Sequence, residues 1–315
     1  MEAYAAALPP GVINFISGSG RNTVPPIMKS GYIDILAFIG GSSSADRIIK
    51  DHPHPHRLKL FLQLEGKNLG IVTPDADLNV AASEAVTGST SYNGQRCTAI
   101  KLLMVHESVV QKFNEVFISK IADLTSGLPW DEDGKVKITP LPEPNKIIKM
   151  EELIADAKER GATVVNAHLG GGQTSGNLMK PAIVFPVTED MRLWHEEQFG
   201  PVIPIATYKS VDEIIRYLHK MPYGQQASIF TKDGSDVAGL VDILSTTVGR
   251  ININTQCGRS PDTLPFSGRR SSALGTMSVS EALNQFSIET VVAAKTSEVN
   301  QKVLSDLAQE SVFLK

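Results

Sequence analysis

The amino-acid sequence predicts an α/β protein with a largely parallel sheet. Short β-rich apolar runs recur along the chain with little polar alternation, and segments with apolar residues three or four apart separate many of them. Bulk composition agrees. Of 315 residues, 42% are hydrophobic and 20% charged, the balance of a chain that can bury a large core and form about two domains. Strands buried on both faces lose the in-out alternation of a half-exposed sheet, and parallel neighbours need helical crossovers.

In chain order, residues 11–16 (GVINFI) and 33–39 (IDILAFI) are predicted as buried strands, followed by strand-like runs at 60–64 and 68–73. From Asp77 to Ser89, Leu78, Ala81, Ala82, Ala85 and Val86 fall on one side at helical spacing. KLLMV (101–105) is the next strand. Val110, Phe113, Val116, Phe117, Ile121 and Leu124 make 107–124 an amphipathic helix. A second such helix covers 144–160, stopping before Gly161, and the strand TVVNA follows. Strands at 182–187, 202–207, 226–231 and 248–253 complete the sheet, with helices at 211–220 and 235–245 between the last three. The stretches 127–145 and 167–180, rich in Gly, Pro, Asp and Asn, are the least regular. Gly170-Gly171-Gly172 lacks the Lys-Ser/Thr that follows in a phosphate-binding loop, so it is read as a surface turn.

The formal charge is -4 with no dense Lys/Arg stripe, so nothing points to nucleic acid. No apolar run is long enough to span a bilayer. The opening MEAYAAALPPGVINF has no basic segment leading into an apolar one, so no secretory signal is expected. Two cysteines, Cys97 and Cys257, argue against a disulfide scaffold and for a reducing compartment, with cytoplasm the expectation. No metal is expected.

Residues 93–98 read NGQRCT. Helix-breaking Gly94 follows a helix of small residues and a strand follows Thr98, which puts Cys97 on a tight turn. A thiol there is useful when partly ionised, and a neighbouring Arg, main-chain N–H groups and a cofactor cation would each favour the thiolate. Read from these residues alone, Cys97 is sooner a small buried hydrophobe, the commoner fate of a lone cysteine, and Cys257 is a structural cysteine.

Ordered motifs carry the reading further. LPPGVINFISGSG (8–20), FIGGS (38–42), LQLEGKN (62–68), PDADL (74–78), YNGQRCTA (92–99), HEEQFGPVIPI (195–205), YGQQASIFTKD (223–233) and LPFSGRRSSALG (264–275) follow one another at the right intervals. Over nearly its whole length the chain resembles the aldehyde dehydrogenase superfamily. The resemblance implies the remainder of a Rossmann-like cofactor domain in 1–64, an α/β catalytic domain of the aldehyde dehydrogenase type in 65–275, and a return to the cofactor domain with an oligomerisation segment in 276–315. It further implies that Cys97 attacks an aldehyde carbonyl to give a thiohemiacetal, that hydride passes to nicotinamide to leave a thioester, and that water or another acceptor releases the acid. The Cys97 N–H and an Asn side chain would hold the oxyanion. Glu197 would bind the nicotinamide ribose hydroxyls, and Phe199 would pack near the ring. Gly18, Gly40 and Gly41 would let the backbone approach the dinucleotide. Gly41 stands where many relatives carry Ser, with Ser42 or Ser43 as the substitute.

Two departures stand out. Where the family motif LELGGK supplies the water-activating Glu, this chain has Gln63, and a neutral amide cannot take a proton from water. Glu65 lies two residues on, on the same face of a strand, and is the expected replacement base. Relatives also carry a long segment before LPPGVINF, including the oxyanion Asn and a Lys that meets the adenosine ribose. The chain is therefore expected to be an N-terminally truncated form.

Arg96 precedes Cys97, and CGRSPD (257–262) resembles the arginine loop of the non-phosphorylating glyceraldehyde-3-phosphate dehydrogenases, as Trp194 and LPFSG also do. Guanidinium forks match phosphate oxygens, so Arg96 and Arg259 are the expected binders of a phosphorylated aldehyde such as glyceraldehyde 3-phosphate. The cofactor is NADP or NAD, with the branch suggesting NADP. A homo-oligomer, dimer or tetramer, is expected, with the β-rich run 286–294 taking part. Two alternatives stay open: a coenzyme A-acylating dehydrogenase, in which a thiol replaces water, and a non-catalytic relative acting as a subunit.

Overall fold

The computed structural model describes residues 2–312. The chain divides into two units, one up to Ser278 and one from Val279 onward.

The first unit holds a seven-stranded sheet. Its order is Arg250–Ile253, Gln226–Phe230, Asn68–Val72, Ile100–His106, Val202–Tyr208, Ala182–Phe185 and Thr163–Val164. Neighbouring strands are parallel except the last pair, which is antiparallel. The largely parallel sheet predicted from the sequence is present, and the apolar runs that foretold it lie in the core for the stated reason. Along Ile100–His106, Leu102 and Met104 pack on one face, while Leu103 and Val105 pack on the other. Helices Leu78–Thr90 and Val110–Ala122 cover the second of these faces, and Val211–Lys220 and Gly234–Thr247 cover the first. Phe113 and Phe117, one helical turn apart, stack with centroids 5.4 Å apart. Helix Pro144–Glu159 packs through Met150, Leu153, Ile154 and Ala157 on a third cluster.

A small sheet stands beside it: Ile35–Ile39 parallel to Lys59–Gln63, with Ala273–Leu274 antiparallel to the latter. Helix Ser42–Asp51 covers it, with Ala45 packed on Leu62 and Leu64. The second unit contains helices Val279–Gln285 and Glu298–Glu310, the latter capped by the Ser297 hydroxyl, which accepts from the Asn300 N–H. No helix among the described residues is long and apolar enough to cross a membrane.

Three expectations fail. Residues 11–16 form turns and loop rather than a strand, and 286–294 adopt no strand either. An extended run becomes a strand only when a neighbour completes its ladder, so local β character alone does not make one. The strand expected over TVVNA shrinks to Thr163–Val164, and a turn of 3₁₀ helix follows at Ala167–Leu169. Helices Gly20–Lys29 and Ser42–Asp51 were not foreseen. The former has Pro25 and Pro26 inside it, a signal against helix. Gly170 and Gly172 do form a turn, with φ +85° and +80°.

Candidate active site

A cavity of about 790 Å³ opens where the carboxyl ends of the two parallel strands of the small sheet meet the entry ends of three strands of the large one. Ile39, Gly40 and Gly41 follow the first strand, and Gln63, Leu64 and Glu65 end the second. Arg96, Cys97 and Thr98 lead into Ile100–His106, and Glu197 and Phe199 lead into Val202–Tyr208. Ligands gather at the carboxyl ends of parallel strands, which here are those of the small sheet.

The cysteine turn is built by unusual backbone. Tyr92, Asn93 and Gly94 have φ of +53°, +58° and +71° in succession. A Cβ on Gly94 would lie 2.6 Å from the Gly200 carbonyl oxygen and 2.8 Å from that of Ser89, so only glycine fits. The reversal ends helix Leu78–Thr90 and delivers Cys97 to the cavity wall, where it is partly exposed. The Asn68 amide donates to the Cys97 carbonyl at 2.7 Å and to that of Ala99 at 2.9 Å. Cys257 is fully buried against the Ser228 hydroxyl, and burial pushes its thiol up to about 11. Its reading as a structural cysteine fits this placement.

Beneath the cavity lie two buried lysines. Lys101 Nζ donates to the Gly94 and Gln198 carbonyls at 2.6 and 2.9 Å, and sits 4.7 Å from the Phe199 ring centroid. Lys67 Nζ donates to the Glu196 carbonyl and to Gln198 Oε1. The Gln198 amide in turn donates to the Lys101 and Val202 carbonyls. This knot ties the cysteine turn to the Glu197 loop. Burial lowers Lys101 to about 8, with the Glu197 carboxylate opposing, and drives Lys67 down as well. Burial raises Glu197, with the Lys101 ammonium pulling it back down and Gly66 N–H donating to it at 3.1 Å.

Glu65 lines the cavity, but its carboxylate is turned to the first turn of helix Ser42–Asp51. Ser42 N–H donates to both oxygens at 2.9 and 2.8 Å, and the Ser42 hydroxyl approaches to 3.3 Å. A carboxylate satisfies a free N–H at a helix start and meets its positive end. Gln63, 2% exposed, also lines the cavity.

The two arginines stand on the wall. Arg96 spends Nε on the Thr98 hydroxyl and Nη1 on that of Ser91, and lies over the Tyr92 ring. Arg259 pairs with Asp262 at 3.3 Å and lies over Phe266 at 5.3 Å. Lys146 and Lys149 join them, the latter held by Glu196 at 2.7 Å. Glu196 also accepts from Arg192 Nε at 2.6 Å, and these partners, Arg192 foremost, hold its carboxyl at about 2. The wall therefore has four cationic groups, suited to an anionic ligand.

Of the residues singled out from sequence, Cys97, Gln63, Glu65, Gly40, Gly41, Glu197, Phe199, Arg96 and Arg259 line one cavity, and Ser42 touches it through Glu65. Gly18 is not among the lining residues. Its φ of +134° is a local turn requirement, with Thr23 against the space a Cβ would take. Trp194 packs edge-on against Tyr217, away from the cavity, whereas Phe266 of LPFSG lines it. Asn68, Lys67, Lys101, Gln198, Lys146 and Lys149 were missed. Lys101 had a signal: a lone cation opening an otherwise apolar buried strand needs interior partners.

The aldehyde dehydrogenase family model matches residues 1–292. The chain is 36% identical to the NADP-dependent glyceraldehyde-3-phosphate dehydrogenase of Streptococcus equinus, covering 94% of this chain and 59% of that protein. It is 33% identical to the Arabidopsis thaliana enzyme of the same name, covering 94% and 56%. Among solved structures, the NADP-dependent glyceraldehyde-3-phosphate dehydrogenase from Bacillus halodurans C-125 complexed with NADP superposes with a TM-score of 0.87 at 36% identity, covering 94% of this chain and 60% of that one. The glyceraldehyde-3-phosphate dehydrogenase of Methanocaldococcus jannaschii DSM 2661, also complexed with NADP, gives 0.84 at 30%, covering 93% and 62%. The chain thus spans about three fifths of the length of these relatives.

Proposed function

The chain belongs to the aldehyde dehydrogenase family, and from that premise we propose that it oxidises a phosphorylated aldehyde, such as glyceraldehyde 3-phosphate, to the acid with NADP through a Cys97 thioester. The observation that carries the proposal is the shared cavity, lined by a partly exposed Cys97, by Glu197 and by a cationic wall. The names of the relatives favour this reading over the coenzyme A-acylating one.

Cys97 is the nucleophile, with the Lys101 ammonium below its turn. Arg96 and Arg259 bind the phosphate as planar donors, with Lys146 and Lys149 adding charge. Glu65 is the base on this reading, and reaches water only by leaving Ser42. NADP, when bound, supplies the hydride acceptor. The residues present fit its nicotinamide half: one Glu197 oxygen takes the Gly66 N–H, leaving acceptor capacity for ribose hydroxyls, and Phe199 stands beside it. Gly40, Gly41 and Ser42 would meet its phosphates, provided the Glu65 carboxylate gives up the Ser42 N–H. The proposal includes 1–64 as cofactor-domain remainder, 65–275 as catalytic domain, a cytoplasmic setting and a homo-oligomer. Exposed Ile288 and Val291 in the 276–315 segment are consistent with an oligomer contact.

The test is NADPH absorbance on mixing the chain with NADP and glyceraldehyde 3-phosphate. The wild type should give at least one turnover per chain and Cys97→Ser none. A wild type that gives no NADPH refutes the proposal.

A further inference from the structure

Gln63 carries a buried amide nitrogen with no hydrogen-bond partner among the described residues. Its main chain is satisfied in the small sheet, in register with Ile39 and Ala273, and its carbonyl accepts from the Gly40 N–H at 3.2 Å. Its neighbours Leu62 and Leu64 go to the core under helix Ser42–Asp51, so strand alternation directs Gln63 to the opposite face. There the side chain is buried at 2% exposure, lines the cavity that holds Cys97, and has Nε2 without a hydrogen-bond partner among the described residues. Four other buried side-chain atoms share that lack, on Asn114, Tyr217, Gln225 and Gln256, and none of those residues lines this cavity. A buried polar group left unpaired is disfavoured, and one on a residue that lines a cleft can be paired by a ligand entering that cleft.

We propose that the Gln63 carboxamide is the side-chain hydrogen-bond donor to the oxygen of the carbonyl that Cys97 attacks. This deepens the proposed function and rests on its assignment of Cys97 as nucleophile. In the step, the sulfur–carbon bond forms, the carbonyl π pair moves onto oxygen, and the amide N–H donates to that oxygen. No proton leaves Gln63 and nothing is oxidised. A carboxylate at position 63 could not donate in this way at neutral pH, so the exchange of a Glu for a Gln trades a base for a donor.

The test needs no dinucleotide. p-Nitrophenyl acetate acylates a thiolate directly: the Cys97 sulfur bonds to the acetyl carbon, p-nitrophenolate leaves, and a thioester remains. Iodoacetamide alkylates the same thiolate at a saturated carbon, where no oxyanion forms on the attacked atom. In Gln63→Met the acylation burst should slow by about a hundredfold, the order of a lost oxyanion donor, while alkylation of Cys97 stays within about twofold, since it draws on no such donor. Gln63→Glu should lose the burst rate in the same way at neutral pH. The urea midpoint of Gln63→Met should equal or exceed that of the wild type, because Nε2 has no partner to lose. An unchanged burst, an equal fall in both reactions, or a lowered urea midpoint overturns the inference and leaves the nucleophile assignment standing. A wild-type Cys97 that reacts with neither reagent overturns both.

Discussion

Replacing Asn68 by Ala tests how the cysteine turn is held. Asn68 joins three segments: Nδ2 donates to the Cys97 and Ala99 carbonyls at 2.7 and 2.9 Å, and Oδ1 accepts from the Gln226 N–H at 3.0 Å. The residue is 1% exposed, so water does not stand in for these bonds in the folded chain. Asn68→Ala leaves three main-chain groups in the interior. Each costs about 1–3 kcal/mol when unsatisfied, and relaxation or entry of water into the new space recovers part of it. We expect a net loss of about 3–5 kcal/mol, large against a typical domain stability of about 5–15 kcal/mol. Asn68→Asp should lose at least as much at neutral pH, because it sets a carboxylate against two carbonyl oxygens. Urea unfolding followed by tryptophan fluorescence reads the loss, since Trp194 is packed against Tyr217. Alkylation of Cys97 in the native state reads the turn, because Cys257 is fully buried and stays silent until unfolding. A loss under about 1 kcal/mol with unchanged alkylation would show that these hydrogen bonds do not hold the turn.

Gly94→Ala should cost more than about 2 kcal/mol, combining a left-handed φ with clashes against two carbonyl oxygens; a urea midpoint within error of the wild type refutes this. Lys101 titrates near 8 in the folded chain against 10.5 unfolded, so the unfolded state binds the proton more tightly and stability should rise between those values. Comparing urea midpoints across that window, the rise should be smaller in Lys101→Met, and identical profiles contradict the burial argument. Glu196 is held at about 2 against 4.5, so its contribution is present above 4.5 and lost as pH falls through 2. With a side chain 40% exposed, that contribution is discounted to about 1 kcal/mol, and Glu196→Gln should remove it from the acid limb of the pH profile. Arg259→Ala should raise KM about tenfold or more for glyceraldehyde 3-phosphate and far less for unphosphorylated glyceraldehyde, as expected for a lost charge-assisted pair; equal effects refute the phosphate role.

The large sheet was legible because parallel strands buried on both faces read as unbroken apolar runs, as LLMV in 102–105 does. GVINFI and FSIETVVAA have the same local character and form no strand, because strand formation depends on a neighbour that no local pattern reveals. Helix Gly20–Lys29 was hidden by its two prolines. At the site, motif spacing brought out the cavity-lining residues, but not their hydrogen bonds. Glu65 and Gln63 share a strand face by period, yet the Glu65 carboxylate reaches the helix at Ser42 while Gln63 Nε2 has no partner among the described residues. Strand period cannot tell those outcomes apart, because they depend on segments more than twenty residues away in sequence. The Lys67–Gln198–Lys101 knot was missed for the same reason, since its bonds cross from residue 67 to 198 and back to 101.

The most direct test of Cys97 as nucleophile is peptide mass spectrometry after the chain is quenched with NADP and glyceraldehyde 3-phosphate during turnover. An acyl group bearing the substrate's phosphate, thioester-linked to Cys97, is the predicted result. Product formed with Cys97 unmodified, or an acyl group carried on Cys257, would contradict it.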